Sequence, residues 1–112
     1  MATQPKRGEV FWVSFDPSVG GEVQKTRPAI ILSNDAANAA LNRLIVLPLS
    51  SKTDRLYPGE VLIQVNQQKS KAMSDQLTTI SKLRLRKKIT EITATEMNSV
   101  EEAVLLQLGI RT

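Results

Sequence analysis

Neither histidine nor cysteine occurs anywhere in this chain. The usual general base, the commonest metal ligand and the thiolate nucleophile are therefore missing together, and no disulfide can form. Any catalysis must draw on arginine, lysine, aspartate, glutamate, serine, threonine or tyrosine. No metal or other cofactor is expected, although composition alone leaves a carboxylate-bound Mg²⁺ open. The formal net charge is +4, and its placement says more than its size. Lys69, Lys71, Lys82, Arg84, Arg86, Lys87 and Lys88 fall in one stretch whose single acid is Asp75. Concentrated positive charge suits a polyanionic partner. A solubilising surface run is the plainer alternative.

The elements that must position such residues can be read from periodicity. A chain of 112 residues, 41% of them hydrophobic, fits one domain (1–112) with its own core. Met1 to Lys6 is polar and reads as a loose tail. No apolar run reaches the ~18 residues of a membrane span. No charged-then-apolar signal opens the chain. The expected setting is the cytoplasm, with no membrane contact.

Residues 8–15 (GEVFWVSF) read as a strand with Phe11, Val13 and Phe15 on one face and Val10 and Trp12 on the other. Apolar residues on both faces suit a small barrel. Asp16-Pro17 and Gly20-Gly21 open a flexible loop that runs to Arg27-Pro28. Ala29 to Leu32 resume as a buried strand. Residues 36–43 form a short helical turn or loop, and 44–49 (LIVLPL) a third strand. Pro48 cannot donate to a ladder, so it should lie at an edge or at the strand's end. A polar loop, 51–59, precedes a fourth strand at 60–65 (EVLIQV). Residues 71–81 supply two short strands around Asp75-Gln76, 82–88 a basic connection, and 89–92 the segment that closes the barrel. Thr93 and Glu96 have capping-box spacing. Met97, Val100, Val104 and Leu108 then make one helical apolar stripe, with Gly109 as its stop.

Six segments, in order, resemble the MazF/PemK toxin family: RGEVFWVSFDPSVGGE (7–22), KTRPAIILSND (25–35), VLPLSS (46–51), PGEVLI (58–63), SDQLTTISKLRL (74–85) and the C-terminal helix. The resemblance implies a mostly β fold, a compact SH3-like β-barrel with a C-terminal α-helix. It also implies a homodimer, sequence-selective cleavage of single-stranded RNA that inhibits translation and growth, and inhibition by a cognate antitoxin protein. Arg27 matches the family's catalytic arginine. Ser50 matches a position often held by Thr or Ser. Glu22 and Asp75 match acidic positions and are the acid/base candidates. Gln76 matches a residue lining the RNA groove. Lys25, Thr26, Ser51, Lys52, Arg55, Lys82, Arg84 and Arg86 are the further RNA-binding candidates. Gly21 stands where some relatives place histidine, and Met73 and Thr78 where others place arginine.

RNA brings its own nucleophile, the 2′-OH. A nuclease using it must align that group with the scissile phosphate and stabilise charge growing on the phosphoryl oxygens. The products are a 2′,3′-cyclic phosphate and a 5′-OH. A guanidinium offers planar, forked donors for the charge role, and a serine hydroxyl offers one more. Each residue also has a plainer reading. Arg27 would be a surface ion pair beside a turn, Ser50 a hydroxyl satisfying the next turn, and Asp75 a structural ion-pair partner. Trp12 reads as core rather than a base-stacking platform. The rival functions are a non-catalytic nucleic-acid-binding barrel and a gyrase-directed toxin of related fold.

Overall fold

The computed structural model describes residues 4–17, 19–22 and 24–110. Met1 to Thr3, at the head of the expected tail, lie outside them. In the first strand, β1 (Glu9–Ser14), apolar side chains alternate across both faces. Val10 enters one core with Ile30, Leu47, Leu49, Ile63, Val65, Ala72 and Val100. Val13 enters a second with Phe15, Ala29, Ile31, Leu44, Val46 and Ile80. A strand buried on both sides needs cover on both faces; here the sheet curls round it, and the C-terminal helix adds Val100 to the first core.

Six further strands complete that sheet: β2 (Thr26–Ile31), β3 (Arg43–Ser50), β4 (Glu60–Val65), β5 (Gln68–Met73), β6 (Thr78–Ser81) and β7 (Leu85–Glu91). Their order is β4-β5-β3-β2-β1-β7, with β6 also pairing β3. Neighbours are antiparallel throughout. Helix α1 (Asp35–Ala40) links β2 to β3, capped by the Asn34 side chain on the Ala37 N–H. The β4–β5 hairpin turns on Asn66 and Gln67, whose φ angles of 49° and 69° match the left-handed pair that tight hairpins require. Single 3-10 turns, Ser74–Gln76 and Lys82–Arg84, flank β6.

Helix α2 (Ala94–Gln107) carries the expected reciprocal cap between Thr93 and Glu96. Val100 is fully buried, and Met97 and Val104 pack beside it on the first core. Leu108 departs from the expected stripe. It sits at the helix's C-cap and is 56% exposed.

Backbone hydrogen bonding explains the other departures. β2 begins at Thr26, so Arg27 and Pro28 lie in the strand rather than in the preceding loop. Pro48 is fully buried inside β3, not at an edge or end. β3 pairs β6 through Arg43–Val46 and β5 through Leu49 and Ser50. Pro48 falls between these ladders, where a missing N–H leaves no bond unmade. β7 starts at Leu85 and pairs only β1, so the barrel is a curled half-barrel that hydrogen bonds do not close. Pro5, in the expected loose tail, is buried.

Glu96 couples α2 to the sheet. Its carboxylate accepts from the Gln64 N–H at 2.7 Å and the Thr93 N–H at 3.0 Å. Burial alone would raise its pKa, but the backbone donors of Gln64 and Thr93 outweigh burial and hold it below the ordinary carboxylate range. That stabilisation is complete above the unfolded-state value and is lost as pH falls through the depressed one. Glu96→Ala is expected to cost on the order of 1–2 kcal/mol at neutral pH, the scale of bonds to a charged acceptor. Urea denaturation should show the gap between variant and wild type closing in acid.

Candidate active site

Pro28 has no N–H to offer β3, and the β2–β3 ladder ends at Ala29↔Pro48. Carried two residues further, the same register sets Arg27 opposite Ser50. The strands no longer pair there, and a cleft of about 510 Å³ lies at that end of the sheet. Lys25, Thr26, Arg27, Ser50 and Ser51 all line it, with Trp12, Pro28, Asn66, Gln68 and Ser70 among their neighbours.

Arg27 is half-buried in β2 and paired with Val13 of β1. Its Nε donates to the Gln24 carbonyl at 3.1 Å. Among the described residues its two Nη groups have no partner, and no acidic side chain forms an ion pair with it. A guanidinium held at one nitrogen keeps its fork for an incoming oxyanion. Lys25, two residues earlier, has a left-handed backbone with φ of 67°. Its N–H donates to Asp16 Oδ1 at 2.8 Å, and its carbonyl accepts from the Phe15 N–H at 2.8 Å. These bonds hold the strained residue where the strand begins.

Ser50 is 7% exposed. Its Oγ accepts the Lys52 N–H at 3.2 Å, so it does satisfy the next turn. The hydroxyl proton has no acceptor among the described residues and remains available to a ligand.

The acidic candidates stand in a second cleft, of about 330 Å³, lined by Glu22, Asp75, Gln76, Thr78 and Arg84 among others. The 15–26 loop borders both clefts, Phe15, Pro17 and Glu22 on one side and Lys25 and Thr26 on the other. Gln76 Nε2 reaches the Gly21 carbonyl of that loop at 3.4 Å. Glu22 Oε1 accepts the Val19 N–H at 2.7 Å. Asp75 is exposed and, among the described residues, makes no ion pair. Arg27 and Ser50 thus share one cleft, while Glu22 and Asp75 share its neighbour.

Much of the basic stretch serves the fold. Lys71 is buried on Glu60. Lys82 Nζ bonds the Asn38 carbonyl and, at 2.9 Å, Gln4 Oε1. Arg84 Nη1 bonds the Ser14 and Asp16 carbonyls at 3.0 and 2.6 Å. Arg86 Nη1 bonds the Leu83 and Leu85 carbonyls at 2.9 and 3.1 Å. Lys88 pairs with Glu9 at 2.8 Å, and chiefly that hydrogen bond holds its ammonium above the ordinary lysine value. Lys25, Lys52 and Arg55 are exposed around the polar loops.

Trp12 is a correction. It is 41% exposed and lines the Arg27–Ser50 cleft rather than the core. Its alternation with Val10 and Val13 marked a two-faced strand but not where the sheet's cover ends. Gln68 and Ser70 carried no signal, because they reach the cleft only through the pairing of β5 with β3.

A curled antiparallel half-barrel with one C-terminal helix is the MazF-like fold. The chain matches MazF of Deinococcus radiodurans with a TM-score of 0.87 at 24% identity, covering 97% of this chain and 100% of that one. Residues 6–108 match the PemK-like, MazF-like toxins of type II toxin-antitoxin systems, and the chain belongs to that family. It is 35% identical to endoribonuclease MazF9 of Mycobacterium tuberculosis, across 94% of this chain and 97% of that one. It is 29% identical to endoribonuclease MazF of Staphylococcus saprophyticus, across 96% and 93%. A mycobacterial endoribonuclease solved in complex with its cognate antitoxin aligns with a TM-score of 0.80 at 24% identity, covering 96% and 98%.

Arg27→Ala is expected to slow RNA cleavage roughly 10²-fold or more, the scale of losing one key transition-state donor. Arg27→Lys should recover little, since an ammonium lacks the planar fork. Cleavage rates measured beside thermal melts check both points. A folded Arg27→Ala protein cutting at the wild-type rate would refute the assignment.

Proposed function

We propose that this toxin is an endoribonuclease that cuts single-stranded RNA by driving the RNA's own 2′-OH onto the adjacent phosphate. Arg27 stabilises charge on the phosphoryl oxygens, and Ser50 donates a further hydrogen bond to them. The ends left are a 2′,3′-cyclic phosphate and a 5′-OH. The carrying observation is that Arg27 and Ser50 line one cleft from facing strands, with Arg27's Nη groups uncommitted among the described residues. Glu22 and Asp75 are the acid/base candidates, acting from the adjoining cleft on the far side of the 15–26 loop. Lys25, Thr26, Ser51, Lys52, Arg55 and Gln76 contact the strand, with Lys82, Arg84 and Arg86 set further along it. Neither the attack nor the charge role requires a metal, and cleavage of mRNA in the cytoplasm would halt translation and growth.

A cognate antitoxin controls the enzyme by laying an acidic segment over the basic Arg27–Ser50 cleft and excluding RNA. The solved mycobacterial relative with its antitoxin supports such a partner. The working form is a homodimer. Leu32, Ile45, Leu77, Val104 and Leu105 line a largely apolar cleft of about 470 Å³, and Ile45 is 41% exposed. Sedimentation should show Ile45→Glu as a monomer where wild type is a dimer; a monomeric wild type would remove this part of the proposal.

Incubation with a long RNA in EDTA, followed by mapping of the ends, tests the chemistry. Cleavage should persist in EDTA, leave cyclic phosphate ends and spare a duplex of the same sequence. A strict Mg²⁺ requirement or 3′-OH ends would sink the mechanism.

A further inference from the structure

The 51–59 loop carries an aromatic ring that neither core uses. Tyr57, the chain's single tyrosine, is 54% exposed yet held from several sides. Its N–H donates to Glu60 Oε1 at 2.7 Å, and its carbonyl accepts the Glu60 N–H at 3.0 Å. The Lys71 ammonium lies 5.3 Å from the ring centroid. Lys71 is itself fixed, with Nζ donating to the Arg55 carbonyl and to Glu60 Oε1, both at 3.0 Å. The side chains of this ion pair are 9% and 8% exposed. The ammonium is buried while the ring above it stays half-exposed, so part of the ring is open to solvent. The exposed Arg55 also lies over the ring, its Cζ 5.9 Å from the centroid and its Nη1 donating to the phenol oxygen at 3.4 Å.

Register decides what the exposed part of the ring can meet. Ser50 and Lys71 are direct cross-strand partners of β3 and β5, and direct partners project from the same face of a sheet. A ring seated on Lys71 is therefore on the Ser50 side. Burying an ion pair carries a desolvation cost, so it is a poor device for bulk stability. Here it ties the loop's Arg55 and the turn at Glu60 to β5, and so sets the height and tilt of the ring. A rigid aromatic face beside the exposed Arg55, on a loop that also carries Lys52, is a combination that holds a single strand, with stacking for a base and charge for its phosphates.

We propose that Tyr57 is a stacking platform for a nucleobase of the RNA strand in the Arg27–Ser50 cleft, with Arg55 meeting an adjacent phosphate. The proposal rests on the RNA-cleaving reading of that cleft. A base inside a duplex keeps its own stacking partners, so the platform favours single strands.

The test uses the full chain carrying Arg27→Ala, to suppress cleavage, and a mixed-sequence single-stranded RNA containing 2-aminopurine. In this background Tyr57→Leu is expected to weaken binding about tenfold and to lose the stacking-induced quench of 2-aminopurine. Tyr57→Phe and Tyr57→Trp should keep both, which a collapsed loop could not do. In the protein with Arg27 intact, Tyr57→Leu should raise KM more than it lowers kcat. A Tyr57→Leu protein that binds and quenches like its parent overturns the platform while wild-type cleavage leaves the nuclease reading standing. Weak binding by folded Tyr57→Phe and Tyr57→Trp also overturns it. Failure of wild type to cleave RNA removes the nuclease reading and the platform with it.

Discussion

A β-strand has two edges, and every backbone group on a buried one must find a partner. β3 is the strand on which this demand falls hardest. One edge is satisfied by β2, and the other is divided between β6 and β5. The division needs a residue that asks for no bond at the seam, and Pro48 is that residue. From this arrangement follow the curl of the sheet, the two separate cores and the position of Ser50 where β3 meets β5. Pro28 does the complementary thing on β2. It ends the β2–β3 ladder two residues short of Arg27 and Ser50, and the strands have parted where those two face each other. Two prolines placed by backbone bonding shape the candidate site as much as its polar residues do.

Charge in this molecule divides into cations that hold the fold and cations that face outward. Lys71, Lys82, Arg84, Arg86 and Lys88 each have a carbonyl or carboxylate partner. Their attachments fasten loops: Arg84 holds the start of the 15–26 loop, and Lys71 the 51–59 loop. A basic run in the sequence therefore overstated the charge available to a polyanion at that place. Among the exposed cations, Lys25 lines the Arg27–Ser50 cleft, and Lys52 and Arg55 stand on the loop that follows Ser50 and Ser51.

The parts of the fold legible in the sequence are those fixed by local pattern. Alternation marked β1, and the Thr93–Glu96 spacing marked the start of α2. Two-sided burial in β1 pointed correctly to a curled sheet. Long-range pairing hid the rest. Nothing near Pro48 in sequence tells that β3 changes partner beside it. Nothing near Lys71 tells that Glu60 will bury it, or that Tyr57 will lie over it. Trp12 has the pattern of a core residue and is exposed because the sheet's cover stops short of it. Arg27 and Ser50 became candidates through resemblance alone, since the chemistry of an arginine and a serine is common to any surface.

The half-barrel leaves β7 as a terminal strand of the sheet, with Arg86, Lys87 and Lys88 exposed along it. An unpaired strand is a template on which another chain can add. Two copies meeting along this edge would set Arg86 and Lys87 of each near those of the other, where like charges repel, while Lys88 is already balanced by Glu9 and Glu91. Fibre growth from that side of the molecule is therefore opposed from the first contact, although the backbone there remains open to hydrogen bonding.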